Sequence, residues 1–543
     1  MRKQLGKIVD IHNKRIYSGE IHYNENGIKS IIEHNDREYE NFIIPGFVDS
    51  HIHIESTMMT PNEFAHNVVK NGSVAVVADP HEIANVCGVE GVKYMFESSR
   101  NTSFKFYFGV PSCVPATSFE ICGGQLTSSD IDKLFSTGNY YFLGEFMDVQ
   151  GIVSNDLSCI AKTEVAKKYN LPIDGHAPGI SGDDLDKYVS VGVTTDHEFF
   201  SFENSIDKIN AGIKIQIREG SASKDFEDMF ELIDMYPNDV MLCTDDSHPK
   251  DLLDLGHIDK IVKRAVEKGL DIFNILKVAC VNPVKHYNLD VGLLREGDSA
   301  DFVVVKNLTD FKVVKTVING ESVYESGVSL IKRTPCKLIN NFNTSRITLS
   351  DLQVHNIQAK QLKVISIEDG SLVSDKILVK PLLEGSLVVS DVDNDILKIV
   401  LHNRYKAEPV QVGFIKGFGL KSGAFASSVS HDSHNILSIG VSDDAIVEAV
   451  NRVVDSKGGL SVFDGESSDI LELPIAGLMS NKDINTVSKS YQRVKQKVKN
   501  LGCKLDSPFM TLAFMSLIVI PELKLGSRGL FEFSKFEFVD LFE

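Results

Sequence analysis

Apolar and polar positions change rhythm three times along this chain. Residues 1–44 carry short β-type runs, such as Gly6-Lys-Ile-Val-Asp-Ile11 and Ile28-Lys-Ser-Ile-Ile32, separated by Asn and Gly turns. From about 45 to 290, short apolar runs alternate with longer helix-like segments. The strand candidates are the run ending at His51, then Ser73–Ala78, Phe104–Val110, Tyr140–Gly144, Pro172–Asp174, Val193–Thr195, Lys214–Ile217 and Val240–Cys243. Helix-like segments such as Ser158–Tyr169 and His257–Lys268 lie between them. Strands that each lead into a helical or loop segment predict an α/β fold, a (β/α)8 TIM barrel, whose chemistry sits at the C-terminal ends of the strands.

After Asn282-Pro283 the β rhythm returns, in Gly292–Val305 and Val313–Tyr324. These strands are expected to join residues 1–44, so that 1–44 and 291–345 form one small flanking β domain built from both sides of the barrel, 45–290. Residues 330–350 read as a linker rich in Asn, Thr and Pro. The remainder, 346–543, has further strands, a Gly-rich middle and helix candidates at Asp443–Val454 and Ser488–Lys499. It is expected to be a C-terminal α+β domain.

Composition narrows the class. A chain of 543 residues exceeds one ordinary core, which fits several domains. No apolar run approaches the roughly 20 residues that span a bilayer, and Met1-Arg-Lys-Gln-Leu-Gly-Lys lacks a signal-peptide core. A cytoplasmic address without membrane association is expected. The net charge of −19 argues against binding nucleic acid or an anionic membrane, because both need a positive surface. It leaves a small nucleobase possible as ligand. The eight cysteines are scattered without a Cys-x-x-Cys and read as packed thiols.

Candidate chemistry sits at the ends of the apolar runs. In Pro45-Gly-Phe-Val-Asp-Ser-His51-Ile-His53, strand alternation turns His51 and His53 to the same side, where two imidazoles can share a divalent metal. An isolated His-x-His is more often two polar residues on a half-exposed strand. Glu145, His176, His197 and Asp245 follow later runs, and a carboxylate at a buried strand end needs a partner or a metal. Four histidines and two carboxylates at successive strand ends point to a hydrolytic metalloenzyme. Asp245 could orient water and take its proton. Asp246 competes for that role, and strand register does not decide between them.

These motifs resemble the amidohydrolase superfamily, through Pro45–His53, the later histidines and aspartate, and Asn282-Pro283 followed by Glu296-Gly-Asp-Ser-Ala-Asp301. Within it, Ala78-Asp-Pro-His-Glu-Ile-Ala-Asn85, Gly144-Glu-Phe-Met, Asp174-Gly-His-Ala-Pro-Gly and Ser428-Val-Ser-His-Asp-Ser-His-Asn435 resemble the bacterial adenine deaminases. The resemblance covers nearly the whole chain. It implies two divalent metal ions, manganese or ferrous iron with zinc possible, held by His51, His53, Glu145, His176, His197 and Asp245. Glu145 would bridge, and Asp245 would be both ligand and proton shuttle. The implied reaction is adenine plus water giving hypoxanthine plus ammonia by metal-activated hydroxide, in purine salvage or catabolism. The alternative is hydrolysis of another 6-substituted purine or a cyclic amide at the same two-metal site.

Two further expectations follow. His81 and Glu82 read as catalytic, with a donor role near N1 of the ring, although Asp79-Pro80 also reads as an ordinary helix start. The Gly-rich stretch Lys416–Asn435 reads by composition as a tight turn, since a sheet interior avoids so many glycines. The resemblance makes it a substrate-binding segment instead, with His431, Asp432 and His434 near the barrel mouth, enclosing the base. A homodimer is expected.

Overall fold

The computed structural model describes residues 1–221, 223–355 and 361–543. Chain packing divides it into two compact units, one of residues 1–81, 93–113 and 126–336 and the other of 82–92, 114–125 and 337–543.

In the first unit eight short parallel strands form the barrel: β1 (Phe47–Ile52), β2 (Ser73–Ala78), β3 (Lys105–Phe108), β4 (Leu143–Phe146), β5 (Ile173–Gly175), β6 (Val193–Asp196), β7 (Lys214–Arg218) and β8 (Val240–Cys243). Pairing runs β1-β2-β3 and β4-β5-β6-β7-β8. Two parallel bridges, Val110 with Leu143 and Ile52 with Asp245, close the ring. Every residue of β1 and β2 is buried, which is why β2 reads as a nearly continuous apolar run and not as an alternating one.

One strand differs from the apolar reading. The run Tyr140–Gly144 places Glu145 just past a strand, whereas β4 begins at Leu143 and carries Glu145 inside it. The backbone continues through these polar positions because it finds partners there. Gly144 N donates to Val110 O at 2.8 Å, and Glu145 N donates to Asp79 Oδ2 at 2.9 Å.

The chain enters the barrel from an eight-stranded sheet. Its order is Val328–Ser329, Glu321–Glu325, Val313–Ile318, Phe302–Val305, Phe42–Pro45, Arg2–Asp10, Arg15–Asn24, Gly27–Glu33. Phe42–Pro45 pairs with Arg2–Asp10 on one side and Phe302–Val305 on the other, so segments before and after the barrel share one sheet. Its core is Ile8, Ile21, Ile43, Phe302, Val304 and Val317 with their neighbours. Lys105 Nζ at the start of β3 pairs with Asp301 Oδ2 at 2.7 Å and ties barrel to sheet.

In the second unit an eight-stranded sheet has Ile396–His402 near its centre, buried at all seven positions. The helix Asp443–Ser456, capped by Ser442, packs Ala445, Ile446, Ala449, Val450 and Val453 against it. Residues 82–92 and 114–125, part of the strand-and-helix alternation in sequence, pack here. Asn341 Nδ2 donates to Val86 O and to Gly123 O at 3.1 Å each. The Gly-rich stretch also departs from its compositional reading. It contains a buried strand, Ala424–Ser427, paired on both sides. The glycines stand in the connection before it, with Gly417, Gly419 and Gly423 at positive φ. A Cβ on Gly423 would come within 2.2 Å of Phe463 O.

Candidate metal centre

His51 is the penultimate residue of β1, and His53 follows the strand. Their Nε2 atoms lie 3.2 Å apart, on the same side as strand alternation requires. His53 Nδ1 is 3.0 Å from the carbonyl of Asp79, so that nitrogen carries the proton and the Nε2 lone pair faces the site. Glu145 lies at the centre. Its Oε2 is 3.1 Å from His176 Nδ1, 3.1 Å from His197 Nε2 and 3.7 Å from His51 Nε2, while Oε1 is 3.5 Å from His53 Nε2. Asp245 Oδ1 is 3.1 Å from His53 Nε2 and 3.8 Å from His51 Nε2. The structure therefore brings together His51, His53, Glu145, His176, His197 and Asp245. Asp246 accepts a hydrogen bond from Ser56 Oγ.

Local backbone explains the placement. Asp245 sits at φ 51°, a left-handed conformation that Asp tolerates better than most side chains, and its N–H donates to His51 O at 3.0 Å. Gly144 lets β4 pass Asp79, since a Cβ there would lie 2.3 Å from Asp79 Oδ2. His176 N donates to Tyr188 Oη at 3.0 Å, and that hydroxyl donates to Phe146 O at 2.6 Å, linking the ends of β4 and β5.

Charge in the site is strongly coupled. Burial pushes the Glu145 carboxyl up, but His176, His197 and His53 hold it well below the usual range. Burial likewise raises Asp245, and His53, His197 and Arg218 together hold it well below. Burial lowers His176, and Glu145 outweighs it, carrying the imidazole up to about 9. His51 is held well below the ordinary value by burial, then by His197 and His53. His51, His53 and Asp245 converge within ligand distance, as do His51, Glu145 and His197. These donors, all imidazole or carboxylate with no thiolate, fit divalent first-row cations.

His81 joins this cluster. Its Nδ1 is 3.3 Å from Glu145 Oε1, and its ring centroid is 4.4 Å from that of His53. Three groups escaped the sequence reading. Arg218, at the end of β7, donates to Asp245 Oδ2 at 3.1 Å, to Asp225 Oδ2 at 3.0 Å and to Glu198 Oε1. Glu198 follows His197 and lies within ligand distance of His176 and His197. Lys208 ties the loops that carry these two histidines. A charged residue closing an apolar strand was the available signal for Arg218; Lys208 had none.

Glu82, next in the chain after His81, meets two histidines of the second unit. Its Oε1 is 2.7 Å from His431 Nδ1, and its Oε2 is hydrogen-bonded to His434 Nε2. Ser430 N donates to His434 Nδ1 at 3.2 Å, which leaves the ring proton on Nε2 and makes that nitrogen the donor to Glu82. Burial pushes His434 down to about 4, so the ring is neutral. His431 stacks on Phe514 at 4.6 Å, and Asp432 Oδ1 lies 3.8 Å from His431 Nδ1. Glu120, unmarked in sequence, is raised well above the carboxylate range by burial and by Asp432.

The chain matches the amidohydrolase family over residues 42–323 and the adenine deaminase C-terminal domain over 371–537. It is 50% identical over 553 residues to an adenine deaminase of Methanosarcina acetivorans, covering 100% of both chains. It is 44% identical to one of Salinibacter ruber, covering 99% of this chain and 98% of that one. A third, of Borreliella burgdorferi, is 45% identical, with 98% of each covered. Such relatives come from archaea as well as bacteria, so the resemblance is not to bacterial enzymes alone. At this identity, over the full length of each, the chain belongs to the adenine deaminase family.

Proposed function

We infer that this chain catalyses the hydrolytic deamination of adenine to hypoxanthine and ammonia. The observation that carries the reading is the convergence of four histidines and two carboxylates at barrel strand ends, in a chain that matches adenine deaminases end to end. We assign His51, His53, Glu145, His176, His197 and Asp245 as the residues that would hold two divalent cations. The cations supply Lewis acidity, which makes water a stronger acid and the purine carbon a better electrophile.

The remaining work falls to side chains. Asp245 Oδ1, among the histidines, takes the proton of the attacking water and returns it to the departing amino group. Oδ2 is held by Arg218, which keeps the carboxylate ionised and oriented. Addition at C6 pushes electron density onto the ring, so a donor near N1 lowers the barrier. His81, and Glu82 in its protonated form, are the candidates for that role, and His431, Asp432 and His434 for contacts to the base. Glu82→Gln and His434→Ala should raise KM for adenine more than a distant substitution does.

Manganese or ferrous iron is the proposed metal, and a cytoplasmic homodimer acting in purine salvage or catabolism the proposed setting. No helix among the described residues is long and apolar enough to cross a membrane. The deciding experiment measures ammonia release from adenine, other 6-substituted purines and cyclic amides, with protein reconstituted separately with manganese, iron and zinc. Faster turnover of another substrate than of adenine would transfer the assignment to that substrate. Light scattering of the purified protein tests the dimer.

A further inference from the structure

Lys208 lies on the helix Phe202–Asn210, where a lysine ordinarily reaches into water, yet its side chain is fully buried. An ammonium has three donors, and all three are used here. Nζ donates to Ala177 O at 2.8 Å, to Asp196 Oδ2 at 2.8 Å and to Glu198 O at 2.5 Å. Each acceptor adjoins a histidine of the cluster: Ala177 follows His176, while Asp196 and Glu198 flank His197. Asp196 completes the arrangement, its Oδ1 accepting from Glu198 N at 2.9 Å and from Ala177 N at 3.4 Å.

A buried ion pair is a poor source of stability compared with an apolar filling of the same volume, because both charges lose their hydration. Three convergent bonds to two separate loops do something an apolar residue cannot, which is to fix the spacing of those loops. We propose that Lys208 is a positioning residue that sets the separation of His176 and His197, and that without it the centre holds one divalent cation where it otherwise holds two. The proposal rests on the two-cation reading above. Among the described residues Lys208 makes no bond to the loops of His51, His53 or Asp245, so the effect is confined to one half of the centre.

Lys208→Met alone strands Asp196 as an unpaired buried charge and can prevent folding. The test therefore uses the full-length double variant K208M/D196N, whose amide oxygen can still accept from Glu198 N. Wild type and variant are loaded with excess manganese, desalted, and analysed for metal content and by electron paramagnetic resonance. The expected result is two cations and a spin-coupled spectrum for wild type. The variant should hold one cation with an uncoupled spectrum and unchanged far-ultraviolet circular dichroism. A variant with two cations and a coupled spectrum overturns the proposal. So does loss of both cations, or loss of the fold, since neither is the selective effect claimed. A wild type that itself holds fewer than two overturns the two-cation reading, and Lys208's role with it.

Discussion

Arg218 and Asp245 face each other from the ends of neighbouring strands, with Nη1 3.1 Å from Oδ2, while Oδ1 of the same carboxylate stands 3.1 Å from His53 Nε2. The two oxygens therefore have different environments, one clamped by a guanidinium and the other open to the histidines. Arg218 also holds Glu198 and Asp225, so its planar fork serves three carboxylates at once. Lysine keeps the charge but not the fork. Arg218→Lys should lower kcat for adenine by about 10²-fold, within the usual contribution of a positioned proton-transfer group. A steady-state comparison checks this, and a variant within a fewfold of wild type would separate Arg218 from the orientation of Asp245.

Replacing Asp245 by Asn keeps shape and removes the proton acceptor. Turnover should drop by about 10³-fold or more, with circular dichroism unchanged. Activity close to wild type would move the shuttle to Asp246.

Glu145 is the carboxylate nearest to most of the histidines. Glu145→Gln removes a charge that the surrounding imidazoles hold ionised. Elemental analysis should find the second cation weakened or missing, with activity collapsing in step. Full metal content and full turnover in this variant would take Glu145 out of the coordination set.

Much of this arrangement was legible in local patterns, because barrel strands are short apolar runs and period 2 fixes which side a residue faces. Hence the pairing of His51 with His53, and the strand-end position of Asp245. Other features depend on distant parts of the chain. Glu82 read as catalytic beside an ordinary helix start, but nothing local showed its bond to His434, which joins positions 352 apart in sequence. Nothing in a 3.6-residue period says that three acceptors will converge on the Lys208 ammonium. The glycines at 417, 419 and 423 were visible, but composition could not say that they precede a strand and do not interrupt one.

Gly144 offers a steric test of the same neighbourhood. An added Cβ would lie 2.3 Å from Asp79 Oδ2, the atom that accepts from Glu145 N at 2.9 Å. Gly144→Ala should therefore destabilise the protein by about 1–3 kcal/mol through overpacking, and should weaken metal retention by displacing Glu145. A chemical-denaturation midpoint and a metal count read the two effects. An unchanged midpoint would mean that Asp79 yields freely, and that it does not hold β4 in register.

Lys524 provides a pH test far in sequence from the metal cluster. It lies in the buried strand Leu523–Gly526, and burial pushes its amine from 10.5 down to about 7. Its Nζ donates to Leu372 O at 2.8 Å. Between pH 7 and 10.5 the unfolded chain holds a proton on this lysine that the folded chain has released, so stability from this group rises with pH across that window. Below pH 7 the folded chain must carry the buried charge, and the penalty is complete. Lys524→Met removes the penalty but leaves Leu372 O without its donor, a loss of about 1–3 kcal/mol. Against a penalty of about 1.4 kcal/mol for each pH unit between the folded and unfolded values, the variant should be the more stable protein at pH 6. Its advantage should shrink as pH rises and reverse toward pH 10, where the wild-type amine is neutral and still hydrogen-bonded. The chain has no tryptophan, so the urea midpoint is followed by circular dichroism for both proteins at several pH values. A difference that does not change with pH would show that Lys524 titrates normally in the folded protein.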